Sequence, residues 1–369
     1  MRPGDIDTDE RPFVLIWELT QACDLECDHC RADAQPQRHP HELTTAEGKR
    51  LLDQAARFGE GQLVVLSGGD PLKREDAVEL VEYGTDRGLR MTMTPSGTSS
   101  LTREKIEALA DAGLKRLAVS IDGASAASHD DFRGEDGSFA QTVQAARDAR
   151  EVGLPLQINT TVCASTVEEL EGIRELTADL GAVLWSVFFL VPIGRGRILD
   201  PISPERAEDV MAWLLDVAEE ERFGVKTTEA PHYRRVALQQ RMGAATDATP
   251  DDDIGRRTGI RAGDGFAFVS HTGEVFPSGF LPHSAGDVRE RSVVDIYRNA
   301  ELFEQLRDED SLQGKCGACE FRHVCGGSRS RAYAYTGDPF ESDPLCAYVP
   351  EGYDGPMPAD KFDVPEPAD

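Results

Sequence analysis

Short runs of apolar or β-branched residues recur through the first half of the chain: Val14–Trp17, Leu63–Leu66, Met91–Thr94, Leu117–Ile121, Leu156–Val162 and Leu184–Val191. Their length and their near-continuous apolar character predict strands covered on both faces. Amphipathic stretches with helix signals lie between them. Thr44-x-x-Glu47 reads as a capping box opening one helix, and Ser165-x-x-Glu168 as another. Ser203 followed by Pro204 supplies an N-cap and a first helical position for a helix running through Glu221. Alternating strands and helices predict parallel βαβ units with right-handed crossovers. The fold class expected is α/β, a partial (β/α)6 barrel with a small C-terminal extension. In such barrels the chemistry sits at the C-terminal ends of the strands.

Beyond residue 200 the pattern changes. The stretch Met242–Arg257, with Asp251, Asp252 and Asp253 in a row, reads as a linker or loop. Phe266–Ser270 and Glu274–Pro277 flank His271, Thr272 and Gly273, which predicts a β-hairpin. The residues after Pro350 are rich in Pro and Asp and read as a frayed tail. The expected organisation is a tail over 1–11, a partial barrel over 12–200, a helical segment and linker over 201–257, a small cysteine-bearing unit over 258–350 and an acidic tail over 351–369.

The polar N-terminus shows no apolar core of a signal peptide. The longest apolar stretch, Val183–Ile193, contains Pro192 and is too short to span a bilayer. A soluble, cytoplasmic protein is expected, whose eight cysteines serve something other than a disulfide framework. Charge narrows the partners further. With 39 basic and 67 acidic residues in 369, the net charge is −28. Such a surface repels nucleic acid and anionic membranes. Arg outnumbers Lys 32 to 7, and the whole composition looks halophilic, suited to a salty cytoplasm that screens self-repulsion.

The first strand leads into Cys23-Asp-Leu-Glu-Cys27-Asp-His-Cys30. Three thiolates so close together can wrap one cubane [4Fe–4S], which has four ligand positions, so one iron stays open. An open iron can chelate the amino and carboxylate groups of S-adenosylmethionine (SAM). An electron passed into the sulfonium then breaks a carbon–sulfur bond and releases a 5′-deoxyadenosyl radical; the cofactor carries that chemistry and the protein binds and orients it. The rival is zinc, which asks for four closed ligands, often from two CxxC pairs. His29 is wedged between ligand positions and would point elsewhere.

On this Cx3Cx2C motif the chain resembles the radical SAM superfamily, and more narrowly its members with a C-terminal SPASM or twitch extension, from about Pro12 to Pro350. His29 departs from the aromatic residue those proteins carry near adenine. The resemblance implies further SAM-binding residues. Ser67-Gly68-Gly69-Asp70-Pro71 is similar to the family's GGE motif, with Asp70 in place of Glu, and its glycines admit the SAM amino group to backbone carbonyls; it is also ordinary turn chemistry. Ser120 and Asp122, closing the fourth strand, are implied near the ribose or methionine part. Asn159 is polar on a buried strand and needs a partner, which the resemblance makes SAM. Arg195, in a segment similar to the one that closes the SAM pocket, is either a carboxylate partner or a solvated loop residue. His129 and Arg133 belong to a stretch common in SPASM-bearing members and receive no role. Cys163 reads as a small core residue. No residue identifies itself as catalytic.

Cys316, Cys319, Cys325 and Cys346 are four thiolates, enough to close a cluster with no open iron. Full SPASM domains carry two auxiliary clusters. Here Ser278 and Ser328 stand where the family has cysteines, and none lies near Arg261–Gly263. One auxiliary [4Fe–4S] is therefore expected, with zinc as its rival. The stretch from Gly326 to Asp338 resembles the C-terminal segment of alternative heme and heme d1 biosynthesis enzymes. That implies a tetrapyrrole whose acetate or propionate side chains are modified, with Arg234, Arg235, Arg329 and Arg331 as candidates to meet its carboxylates. The alternatives are a SPASM-type peptide maturase, against which the dozen or so residues before the first strand argue, since it would normally need a leader-binding domain there, and a non-catalytic iron–sulfur electron carrier, which the SAM-binding set argues against. Either catalytic reading needs an electron donor such as ferredoxin or flavodoxin.

Overall fold

The computed structural model describes residues 6–244 and 260–358. The six apolar runs form parallel strands that pair in chain order: β1 (Val14–Thr20), β2 (Leu63–Gly68), β3 (Arg90–Met93), β4 (Arg116–Ser120), β5 (Leu156–Val162) and β6 (Leu184–Phe189). The sheet does not end there. A seventh strand, β7 (Gly224–Thr228), pairs in parallel with β6, so the sheet passes the boundary expected near residue 200. Its sequence, Gly-Val-Lys-Thr-Thr, is half exposed and carries no apolar run to announce it.

The opposite edge holds a second departure. β8 (Arg261–Ala262), β9 (Gly265–Val269), β10 (Glu274–Phe276) and β11 (Gly286–Asp287) come from the C-terminal unit. β9 and β10 form the predicted hairpin, but β9 also pairs in parallel with β1, from Val14↔Phe266 to Trp17↔Val269. The cysteine-bearing unit thus continues the barrel sheet. The path runs β11-β10-β9-β1-β2-β3-β4-β5-β6-β7 and stays open between its ends.

The helix Thr45–Ala56 begins at the predicted capping box, with Thr44 and Glu47 exchanging both bonds. The helix Pro204–Glu220 begins at Ser203, whose side chain accepts from the Arg206 amide. The box predicted at Ser165 does not form. Thr166 instead donates to the Thr161 carbonyl, and a short 3-10 turn, Val167–Glu169, precedes the helix Leu170–Asp179. Glu169 turns its carboxylate to the Ala124 amide and the Ser128 hydroxyl. Among the described residues no helix is long and apolar enough to cross a membrane.

Strand periodicity sorts the side chains. Leu66, Met91, Met93, Leu117, Val119 and Ile158 go fully buried into the layer beneath the helices. The alternate residues Val65, Ser67, Thr92, Thr94, Ala118, Ser120, Asn159 and Thr161 line a single cavity inside the curve of the sheet. Its volume is about 1530 Å³, larger than the roughly 300–1,000 Å³ of ordinary small-molecule pockets.

Candidate functional site

The loop leaving β1 carries Cys23, Cys27 and Cys30, and all three line the cavity at the C-terminal ends of the strands. Cys23 and Cys27 are buried in a small cluster with Leu25 and Ala34, and Cys30 packs against it. The Cys23 sulfur lies 3.2 Å from the Ser96 hydroxyl and accepts from the Leu25 amide. Burial pushes the Cys23 and Cys27 thiols up, and Arg133 pulls Cys27 partly back. The loop is braced from outside. Arg195 donates to the Cys27 and Ala34 carbonyls and its backbone amide donates to the Cys30 carbonyl. The Arg195 guanidinium is thus turned to the loop backbone and Asp33 and does not line the cavity.

β2 ends against the end of β1, and this crossing is what demands glycine. A Cβ on Gly68 would stand 2.3 Å from the Thr20 carbonyl oxygen, and one on Gly69 2.4 Å from that of Ala22. Gly68 also has φ +139°, a conformation that side-chain-bearing residues avoid. Both glycines face the cavity. Asp70 does not. Its carboxylate is fully buried and accepts from the Leu72 amide and the Thr98 and Ser100 hydroxyls. The Asp70 side chain is a turn cap, which corrects its expected contact with SAM.

Ser120, Asp122 and Asn159 all reach the cavity wall. Asn159 accepts from the Gln157 side chain at 2.6 Å. Asp122 accepts from the Thr161 amide and is ion-paired with Arg133. Burial alone would raise the Asp122 pKa; the Arg133 charge, the nearby histidines and the Thr161 amide together outweigh it, and the net shift is downward. Arg133 also points a guanidinium nitrogen at the Cys27 sulfur, 3.7 Å away. It links the cysteine loop to the end of β4, a role its sequence position did not disclose. His29 stacks on Phe132 with ring centroids 4.7 Å apart and planes within 10°. Burial and the nearby Arg133 charge lower its pKa to about 4, so it is a neutral aromatic surface beside the cysteines. His129 is likewise lowered to about 4 by burial and Arg133, and its ring accepts from the Asp122 amide.

The four remaining cysteines of the C-terminal unit line one small pocket, together with Arg235, Lys315, Arg322 and Tyr348. Burial raises the thiols of Cys319, Cys325 and Cys346, the last to about 12. An all-sulfur donor set ringed by cations suits a polynuclear iron–sulfur group carrying net negative charge. Among the described residues no three His, Cys, Asp or Glu side chains are grouped as ligands of a single metal ion. The two serines that stand where further cysteines were expected share a different partner. Ser278 and Ser328 both donate to Glu229, as does Ser330. A carboxylate with three hydroxyl donors occupies that place.

The arginines chosen from sequence divide. Arg329 is buried and donates to the carbonyls of Gly327, Pro339 and Glu341. Arg331 is buried against Asp343 and the carbonyls of Phe189, Leu190 and Glu229. Both are buried away from the large cavity and line none of it, so neither stands where a carboxylate in that cavity would be met. Arg235 pairs with Glu208 and points at the Cys346 sulfur. Arg234 alone of the four lines the large cavity. What the sequence reading missed is the company it keeps. Arg11, Arg31, Arg90, Arg116, Arg133, Lys226, Arg241 and Arg261 line the same wall, against the acids Glu60, Asp122, Glu219 and Glu229. The cavity is basic inside a chain of net charge −28. A signal was present for two of them, since Arg90 and Arg116 stand at the inward-facing period of their strands.

A model of the radical SAM superfamily matches residues 17–177. The chain is 45% identical over 341 residues to the AdoMet-dependent heme synthase of Methanosarcina barkeri, spanning 92% of this chain and 97% of that protein. It is 32% identical to the PqqA peptide cyclase of Rhodopseudomonas palustris, spanning 92% of this chain and 88% of that one. Among solved structures, Streptococcus suis SuiB bound to S-adenosylmethionine superposes with a TM-score of 0.72 at 17% identity, covering 92% of this chain and 78% of that one.

Proposed function

Because the chain belongs to the radical SAM superfamily, we propose that it is the enzyme that removes carboxyl groups from the propionate side chains of an iron-tetrapyrrole. Family membership brings SAM and a [4Fe–4S] cluster, which together supply a 5′-deoxyadenosyl radical able to take a hydrogen atom from an unactivated carbon. In this reading Cys23, Cys27 and Cys30 hold the cluster. Gly68, Gly69, Ser120, Asp122 and Asn159 form the SAM pocket, with His29 as its aromatic wall. Arg133 keeps Asp122 ionised and in place beneath it.

The observation that carries the substrate class is the basic cavity. Nine cationic side chains against four acidic ones line it, in a chain otherwise strongly acidic. A polycarboxylate of macrocycle size needs that charge and that volume. The identity to heme synthases along nearly their whole length supports the same class. Converting a propionate to a vinyl group releases one hydrogen atom, carbon dioxide and one electron. The adenosyl fragment, when SAM is bound, would take up the hydrogen. An auxiliary cluster held by Cys316, Cys319, Cys325 and Cys346 would supply a one-electron acceptor, and a ferredoxin or flavodoxin the reducing electron for SAM.

The test uses anaerobically reconstituted protein with iron-coproporphyrin, SAM and dithionite, followed by product mass. Loss of carboxyl mass is expected, and the C316A/C319A variant should still release 5′-deoxyadenosine while leaving the porphyrin intact. An unchanged porphyrin with wild type, 5′-deoxyadenosine still being formed, overturns the tetrapyrrole reading. It would favour a peptide substrate, to which the relation with a PqqA peptide cyclase points.

A further inference from the structure

The cavity extends from the cysteine loop down to the N-terminal ends of the strands, and there it carries charge that the radical site does not use. Arg90 opens β3 and Arg116 opens β4. Each begins an inward-facing row, Arg90–Thr92–Thr94 and Arg116–Ala118–Ser120, and every member of both rows lines the cavity. The register Thr92↔Arg116 sets the two arginines on neighbouring strands, one inward position apart.

Neither guanidinium has an acceptor or an ion-pair partner among the described residues. Other arginines without a partner among the described residues, Arg57, Arg147, Arg197 and Arg222, are exposed as Arg90 is, whereas Arg116 is not; elsewhere arginines are matched to carboxylates, as in Arg74–Asp76, Arg103–Glu151, Arg174–Glu171 and Arg289–Glu47. Glu60 lines the same cavity and pairs with neither. Arg11 borders this end too, packed against Gly59. Burial lowers the Arg116 pKa, and the charge of Arg90 lowers it further. Two positive charges are held near one another, one half-buried, and among the described residues no carboxylate pairs with either. Two solvated surface arginines would explain Arg90, which is exposed. They do not explain Arg116, which points into the cavity. A planar, bidentate donor pair of this kind is completed by a carboxylate.

We propose that Arg90 and Arg116 form a carboxylate clamp that holds the acid groups of the substrate that do not react. The clamp lies four residues along β4 from Ser120, roughly 13 Å at the rise of a strand. That is the scale of a tetrapyrrole with one edge at the cysteine loop and the opposite edge at the clamp. The inference rests on the tetrapyrrole reading for the identity of the acid, and on the unpartnered pair alone for its chemistry.

The experiment titrates the reconstituted full chain with three porphyrins, followed by visible absorption: iron-coproporphyrin, heme and the tetramethyl ester of iron-coproporphyrin. Heme keeps only the propionates that do not react. The double variant R90Q/R116Q should bind iron-coproporphyrin and heme at least about tenfold more weakly. It should bind the ester as wild type does, and R90K/R116K should fall between. Equal affinity of wild type and R90Q/R116Q for both acids overturns the clamp. If wild type binds no porphyrin, the tetrapyrrole reading fails, and the clamp is read with citrate instead. Citrate should then raise the melting midpoint of wild type more than that of R90Q/R116Q, and equal shifts overturn it. In anion-free buffer the double variant should melt no lower than wild type, because a repelling pair has been relieved. A lower midpoint would mark the arginines as structural and also overturn the proposal.

Discussion

Arg133 concentrates the argument at the scale of single residues. Its neighbours are a carboxylate, a thiol and two histidines held neutral by burial and by its own charge. Removing one member of a buried ion pair strands the other, at a cost of about 3–5 kcal/mol. R133Q should therefore lower the unfolding free energy by that order, read as a fall in the urea midpoint. D122N/R133Q should recover part of the loss, since Asn can still accept from the Thr161 amide and carries no unpaired charge. A double variant no more stable than R133Q would show that the pair is not what holds the end of β4 to the cysteine loop. None of this was readable from His129-Asp-Asp-Phe-Arg133, where an arginine four residues after a histidine on a helix carries no sign of the strand it meets. Asp70 and Arg195 illustrate the same limit in the other direction. Their places in the sequence did not disclose that the Thr98 and Ser100 hydroxyls hold one side chain and the carbonyls of the cysteine loop the other.

At the scale of elements, helix starts were legible where the side chain bonds its own next turn. Thr44–Glu47 and Ser203–Pro204 need nothing from the rest of the fold. Glu47 then does a second task. Hydrogen bonds from Arg289 and from Thr44 hold its pKa at about 2, against an ordinary 4.5. Arg289 follows β11 and also bonds the Thr272 and His41 carbonyls. The carboxylate thus staples the C-terminal hairpin to the first barrel helix. A lowered pKa means that this stabilisation is complete above about pH 4.5 and is lost as pH falls toward 2. E47Q should be less stable than wild type at neutral pH, and the difference should shrink as pH drops through that window. Urea midpoints of the two proteins from pH 6 downward check this; a difference independent of pH would contradict it. At Ser165 the expected start failed because Thr166 found a carbonyl of the preceding strand, a competitor supplied by tertiary structure. β7 and the pairing of β9 with β1 were hidden for a related reason. β7, at one edge of the sheet, buries little apolar surface, so its sequence carries almost no period; β9 is a buried strand, but nothing in its own sequence names β1 as its second neighbour.

For the whole molecule, two fields act on stability. The net charge of −28 repels itself, and salt screens that repulsion. The melting midpoint should rise from low salt to molar KCl, and a flat response would remove the halophilic reading. Buried histidines add a dependence on acid. Burial holds His232 neutral, with a pKa lowered from 6.5 to about 3, and His29 and His129 are lowered to about 4. Groups lowered in the folded state favour folding fully above their unfolded pKa and cost stability as pH falls below it. The urea midpoint should fall from pH 7 to pH 5, and H232Q should flatten part of that slope; an unchanged midpoint would contradict it. The cysteine spacings, the glycines after the second strand, the six inner strands and the overall charge were decided by sequence alone. Each is set by covalent neighbours or by composition, and no folding is needed to bring its parts together. The continuity of the C-terminal unit with the barrel sheet, the pairing of Arg133 with Asp122 and the gathering of basic side chains around one acidic molecule's cavity were decided only by tertiary structure. Those depend on which strands lie side by side and which way each side chain points, and residues hundreds of positions apart acquire a common electrostatic surroundings only when the sheet curls to enclose them.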